Sequence, residues 1–152
     1  MDVDEHCGFP IFSGPEWFRI LLTGSRDWTD PRPVVLGLKN AARRAEGRKI
    51  VLVHGACRKG VDLIGNKWGL SCGLRVESHR AENFGPWPWC GPIRNRHMVS
   101  FSADLALAVI GPCTSSRCQI PDVHPSHGAS GCADLAEEAK IPTYRYYHPK
   151  LR

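Results

Sequence analysis

Apolar residues along this chain gather in short blocks separated by polar, helix-patterned stretches. Trp17–Thr23 (WFRILLT) is a continuous apolar run stopped by Gly24. Lys49–His54 (KIVLVH) and Ala103–Ile110 (ADLALAVI) have the same character, and Leu74–His79 and Pro142–Tyr147 (PTYRYY) are shorter versions. Runs without alternation belong to strands covered on both faces. Between them the period lengthens. Pro31–Glu46 places Val34, Val35, Leu38, Ala41, Ala42 and Ala45 at helical spacing, with Asp30 as N-cap, Pro31 at the first helical position and Gly47 after the end. Gly60–Leu70 sets Val61, Ile64 and Trp68 on one face, and Pro92–Phe101 and Gly131–Lys140 are two further predicted helices. Strand–helix alternation of this kind demands right-handed crossovers and a parallel sheet with helices on both sides. The expected fold is α/β: a Rossmann-like three-layer sandwich on a five-stranded, mostly parallel sheet.

Three segments break the rhythm. Residues 1–16 hold Gly8, Pro10, Gly14 and Pro15 with no periodicity and are expected to form an irregular leader to a single domain over 17–152. Glu82–Gly91 (ENFGPWPWCG) is a loop with two prolines and two tryptophans. These rings either cover a nucleobase or pack on the core or a subunit interface. Gly111–Gly128 (GPCTSSRCQIPDVHPSHG) is an insertion between the fourth strand and its helix. Loops of such length in a compact domain are functional or held by something.

Composition narrows the classes. With 152 residues, the chain is long enough for one core and short for two. No window resembles a transmembrane span, and Asp2, Asp4 and Glu5 contradict the layout of a secretory signal. A cytoplasmic setting and no membrane partner are expected. The seven cysteines are odd in number and irregularly spaced. Cys57, Cys72 and Cys132 are placed inside regular elements, so they are read as reduced. A net charge of +5 favours an anionic partner without the basic stripe of a nucleic-acid binder.

In an open parallel sheet, ligands gather beyond the carboxyl ends of the strands. The residues there are Gly24, Ser25 and Arg26 after the first strand. His54, Gly55, Ala56 and Arg58 follow the second, with Asp62 opening its helix, and Gly128, Ala129, Ser130 and Gly131 lie beyond the insertion. Glycine admits an anion close to the backbone, and a helix N-terminus offers free N–H groups. Gly55 and Gly60 have the spacing of a P-loop, but Val61-Asp62 replaces its Lys-Ser/Thr pair. No G-x-G-x-x-G follows the first strand, which argues against dehydrogenase chemistry. Within the insertion, Cys113, Cys118, His124 and His127 supply four ligands of the type that hold structural Zn²⁺; the alternative is a set of unrelated loop residues.

The segments RILLTGSRDW (Arg19–Trp28), VLVHGACRKGVD (Val51–Asp62), GPIRNRHM (Gly91–Met98) and GASGCADLAEEAKIP (Gly128–Pro142) resemble, in the same order, the short SLOG-superfamily proteins related to YspA and YpsA, which occur in bacteria and phages. The resemblance implies a Rossmann-like fold and a nucleotide-derived small molecule as partner. It is distantly similar also to the LOG phosphoribohydrolases and to the DNA-processing DprA domain. By likeness to LOG enzymes, Arg94, followed by Asn95, would grip a 5′-phosphate, and Asp134 stands where a glutamate assists N-glycosidic cleavage. Asp is one methylene shorter and the P-G-G of that loop is missing. The reading is therefore a sensor or sequestering protein for a nucleotide or ADP-ribose-like compound. A LOG-like N-glycosidase and a DprA-like nucleic-acid binder are the alternatives. Family likeness also implies a homo-oligomer, in the host cytoplasm if the source is a phage.

Overall fold

A computed structural model describes residues 3–152. Five strands, β1 (Trp17–Gly24), β2 (Lys49–His54), β3 (Arg75–Ser78), β4 (Leu105–Ile110) and β5 (Thr143–Tyr147), form one sheet in the order β3-β2-β1-β4-β5, every pairing parallel. The helices α1 (Pro31–Arg43), α2 (Val61–Ser71), α3 (Cys90–Ser100) and α4 (His127–Glu138) alternate with them. Strand order reverses between β1 and β4, so the expected Rossmann-like layering is present. Among the described residues no helix is long and apolar enough to cross a membrane.

The apolar runs are continuous because both faces of the sheet are covered. Phe18, Ile20 and Leu22 of β1 face α1 and α2, joining Val34, Leu38, Leu52, Val61 and Leu107 in one cluster. Leu21, with Val51, Val53 and Ala106, meets Met98, Val99, Cys132 and Ala136 of α3 and α4 on the other side. All six residues of β4 are buried. Burying a Val, Leu or Ile side chain contributes about 1.5–3 kcal/mol, so these two clusters supply the main driving force.

One residue breaks the apolar register of β1. Arg19 is buried, and its guanidinium meets the Glu77 carboxylate of β3 with two hydrogen bonds of 3.0 and 2.9 Å. Its remaining N–H groups donate to the carbonyls of Ser102 and Phe12. Glu77 is also 2.8 Å from His79, whose other nitrogen lies 3.0 Å from the Asp4 carboxylate; that carboxylate is also 3.0 Å from His97. Burial alone pushes the Glu77 carboxyl up, but hydrogen bonds and charge from His79 and Arg19 outweigh it and hold it below its ordinary value. The leader is irregular, as expected, yet pinned: Asp4 is fully buried and also accepts the His6 N–H at 2.8 Å.

Several boundaries differ from the pattern-based expectation. Helix α1 stops at Arg43, three residues early, because Glu46 and Gly47 adopt positive φ of 50° and 85°. Helix α4 begins at His127, ahead of the expected Gly131, with Ser126 at the cap position. The insertion between β4 and α4 therefore spans 111–126. Its base is zipped by an antiparallel bridge between Pro112 and Pro125 and by Cys113 N–H to His124 O at 2.8 Å. Cys57 lies in the loop after β2 and Cys72 caps α2, so of the three cysteines placed in regular elements only Cys132 lies within one. All seven cysteines are free.

Candidate functional site

The loops after β1 and β2 interlock. A Cβ on Gly24 would lie 2.3 Å from Val61, and Gly60, at φ +77°, rests on the Ser25 and Arg26 carbonyls, so glycine is required at both positions by the protein's own packing. Val61 N–H donates to Ser25 O at 3.2 Å, and Lys59 reaches Asp27 at 2.8 Å. The Thr114 hydroxyl donates to the same Asp27 carboxylate, tying the insertion to the β1 loop. Ser25 is buried: its N–H donates to Val109 O and its hydroxyl accepts the Gly111 N–H at 2.7 Å, which closes the gap between β1 and β4. Arg26 remains exposed, its guanidinium 4.7 Å from the centre of the Trp87 ring.

Beneath these loops, residues from five segments meet around Arg94. This side chain, on the first turns of α3, donates to the carbonyls of Gly55 and His79, and its Nε donates to the Asn95 side chain at 2.8 Å. Arg94 fills the space a side chain on Gly55 would need. Asp62 is buried beside it and accepts the Cys57 N–H at 3.2 Å. Burial pushes the Asp62 carboxyl up, opposed by the Arg94 charge and by the backbone N–H groups of Cys57 and Gly55. Cys132 of α4 is fully buried, and its thiol is pushed up to about 11 by burial, against the Thr23 hydrogen bond and the Arg94 charge. Burial thus favours the neutral thiol over the nucleophilic thiolate.

The β2 end also floors a cleft of about 220 Å³ lined by His54, Ala56, Cys57, Arg58, Leu63, Asn66, Ser78, Arg80 and Glu82. Its floor has defined polarity. Ala56 N–H donates to His54 Nδ1 at 2.9 Å, which fixes the proton of the neutral ring on Nε2, and Nε2 donates to Asn66 Oδ1 at 3.0 Å. The Asn66 amide nitrogen is then available as a donor. Arg58 and Arg80 are exposed at the rim, and the Arg58–Glu82 pair, 4.0 Å apart and solvent-exposed, contributes little. Ligand pockets usually enclose about 300 Å³ or more, so this cleft suits part of a ligand whose remainder lies along the open edge.

The start of α4 carries the remaining residues expected from the sequence. Gly128 and Gly131 have no heavy atom within 4 Å of an added Cβ, so nothing in the protein's own packing requires glycine there. Ala129 is buried, and the Ser130 hydroxyl donates back to Ser126 O at 2.7 Å. Asp134 lies elsewhere. Its carboxylate accepts from Arg145 of β5 at 2.7 Å, beside Glu137, which accepts from the same guanidinium at 3.0 Å. Arg94 is anchored at the end of β2, whereas Asp134 is engaged by Arg145 of β5, three strands over in the sheet order. The two residues expected to share a catalytic centre hold different partners, backbone carbonyls for Arg94 and the Arg145 guanidinium for Asp134.

The four ligand-type residues of the insertion do converge. One donor atom from each of Cys113, Cys118, His124 and His127 lies within 4.8 Å of all the others. A second such set, Asp4, Cys7 and His79, is already occupied by the buried ion-pair chain to Arg19, with both His79 nitrogens engaged. Thr23, at the end of β1, and Cys132, beyond the insertion, lie where the sequence places the informative residues, whereas Asn66, Ser78 and Arg80 are not among the expected neighbours of the site. Ser78 and Arg80 follow from the end of β3, but Asn66, in the middle of α2, carries no local signal.

The YspA, cpYpsA-related SLOG family matches residues 18–83, which contain every residue lining the cleft. The "Gene 61 protein" of Mycobacterium phage D29 is 32% identical over 139 residues, an alignment spanning 84% of this chain and 95% of the phage protein. No solved structure matches the chain at a significant level. With that relative covered almost end to end and the family's own segment building the floor of the cleft, the chain belongs to the YspA, cpYpsA-related SLOG family.

Proposed function

We propose that the protein binds a phosphate-bearing, nucleotide-related small molecule, a nucleotide or an ADP-ribose-like compound, at the carboxyl edge of its sheet. It acts as a sensor or sequestering protein for that compound. The observation carrying this reading is the meeting of Thr23, Gly55, Asp62, Arg94 and Cys132 beneath a rim of exposed arginines and open glycines. On this proposal, Gly24, Ser25 and Arg26, then His54, Gly55, Ala56 and Arg58, are assigned to one wall. The proposal assigns Asp62, Arg94 and Asn95 to the base, and Gly128, Ala129, Ser130 and Gly131 to the opposite lip. A helix N-terminus is worth about 0.3–1 kcal/mol to an anion at an exposed site. Binding therefore relies on Arg26 and Arg58 adding charge-assisted hydrogen bonds to it.

Binding without turnover fits the geometry better than hydrolysis. Cleavage of an N-glycosidic bond needs a carboxylate facing the reacting carbon. Asp134 faces Arg145, and Asp62 is buried with its carboxyl pushed toward the neutral form. Self-association and a cytoplasmic setting belong to the same proposal. The exposed Trp87, Trp89 and Ile93 supply apolar surface of the kind found in interfaces, and a monomer in sedimentation would remove that part.

The experiment is to denature the purified chain and read the released small molecules by mass spectrometry, then titrate AMP and ADP-ribose into ligand-free protein. Capture of a phosphate ester is expected. Free base released from a nucleoside monophosphate would make the protein an N-glycosidase. Oligonucleotide binding that falls steeply with salt would make it a nucleic-acid binder. No copurifying ligand together with no binding of either compound at millimolar concentration overturns the proposal.

A further inference from the structure

We infer that the insertion between β4 and α4 is a structural zinc site, with Cys113, Cys118, His124 and His127 as a closed set of two thiolates and two imidazoles. The inference rests on the loop alone and stands whether or not the edge of the sheet binds a nucleotide.

The distances carry it. Cys118 Sγ lies 3.3 Å from His124 Nε2 and 3.4 Å from His127 Nε2, and the two Nε2 atoms are 3.2 Å apart. A tetrahedral zinc with Zn–N near 2.0–2.1 Å and Zn–S near 2.3 Å has N···N edges of about 3.3 Å and N···S edges of about 3.6 Å. The three spacings agree with that tetrahedron to about 0.3 Å. The tautomer is also set. His124 Nδ1 donates to the Asp122 carbonyl at 2.7 Å, so the neutral ring presents the bare Nε2 lone pair to the centre, as second-shell partners do for zinc-bound histidines.

The loop needs such a centre. Across 111–126 the large apolar side chains Ile120 and Val123 are 54% and 66% exposed, so the segment has no apolar core of its own. Among the described residues, its hydrogen-bonded ties beyond the ligand set are the bridge at its base, the contacts of Gly111 and Thr114 with the β1 loop, the bond from Ser130 to the Ser126 carbonyl, and local turns. Small segments of this kind take their order from a metal. Two thiolates neutralise Zn²⁺, so the site does not oppose the positive end of the α4 dipole. Because His127 is the first residue of α4, the ion fixes where that helix begins. Four protein ligands leave no open position, which makes the site structural and not catalytic.

Elemental analysis of the full chain, purified under reducing conditions without added metal, should give one zinc per chain. Cobalt exchanged into the wild-type protein should show tetrahedral d–d bands with thiolate-to-metal charge transfer. Cys118→Ser and His124→Ala should each weaken zinc binding by at least about tenfold, while Cys72→Ser, at an exposed cysteine outside the insertion, should keep full occupancy. Substoichiometric metal with an octahedral cobalt spectrum overturns the inference. So does a Cys113–Cys118 disulfide in the freshly isolated protein. The cobalt spectrum of the wild type decides the matter even if the variants misfold.

Discussion

Replacing Gly128 and Gly131 by alanine should strengthen the fold and weaken ligand binding, two effects of opposite sign from one perturbation. An added Cβ meets nothing within 4 Å at either position, and neither has a positive φ. Gly131 lies inside α4, where glycine costs roughly 0.5–1 kcal/mol relative to alanine. For a chain of this length, about 1 kcal/mol corresponds to roughly 2–4 °C in Tm, so the ligand-free double variant should melt a few degrees higher. The same methyl groups occupy the space through which a phosphate would approach the first-turn amides. A tenfold loss of affinity is about 1.4 kcal/mol. At ligand concentrations near 100 times the wild-type Kd, ligand adds about 2.7 kcal/mol to the wild type, and a tenfold weaker binder gains only about 1.4 kcal/mol. Thermal unfolding with and without ADP-ribose reads both quantities in one instrument. A variant that is stabilised yet binds as well as the wild type would show that the lip is not used. A destabilised variant would show that the space is not open.

Other expectations follow from the contacts described. Glu77→Gln leaves the Arg19 charge buried and unpaired, and should cost about 3–5 kcal/mol; a loss under about 1 kcal/mol in denaturant unfolding would contradict the pairing. Because the Glu77 carboxyl is held below its ordinary 4.5 in the fold, its contribution is present above pH 4.5 and fades as pH falls through the lower folded value. The variant should therefore show a flatter acid-unfolding profile than the wild type. Asp30→Ala removes the carboxylate that accepts the Arg32 N–H at 3.0 Å at the start of α1 and should cost about 1 kcal/mol, measured by the same unfolding experiment. Asp134→Ala breaks only an exposed pair with Arg145, so it should change stability by about 1 kcal/mol or less and leave AMP binding unchanged; a large loss of binding in calorimetry would place Asp134 at the site after all.

The sheet was legible because its strands are buried on both faces. KIVLVH and LALAVI need no partner information to be read as interior strands. Arg19 escaped that reading, since a run average hides one charge, and only the pairing of β1 with β2 and of β2 with β3 brings Glu77 within reach. The start of α4 was misplaced because Gly128 and Gly131 look like breakers locally, whereas the chain is committed to helix from His127. The convergence of Cys113, Cys118, His124 and His127 was visible from spacing because those contacts are local, closed within fifteen residues. The partners of Arg94 and Asp134 are not local. They depend on strand order, which places Gly55 beside α3 and Arg145 beside α4. The cleft was unreadable for the same reason, being assembled from β2, α2, β3 and the turn at Ala81–Phe84.

The most direct measurement is an amide NMR titration of the ¹⁵N-labelled protein with ADP-ribose and AMP. The rim described here predicts saturable shifts concentrated at Gly24–Arg26, Gly55–Arg58 and Gly128–Gly131, with the Arg94 side-chain Nε–H moving alongside them. Shifts confined to other surfaces, or none at millimolar ligand, would mean that these loops hold the fold together and nothing more.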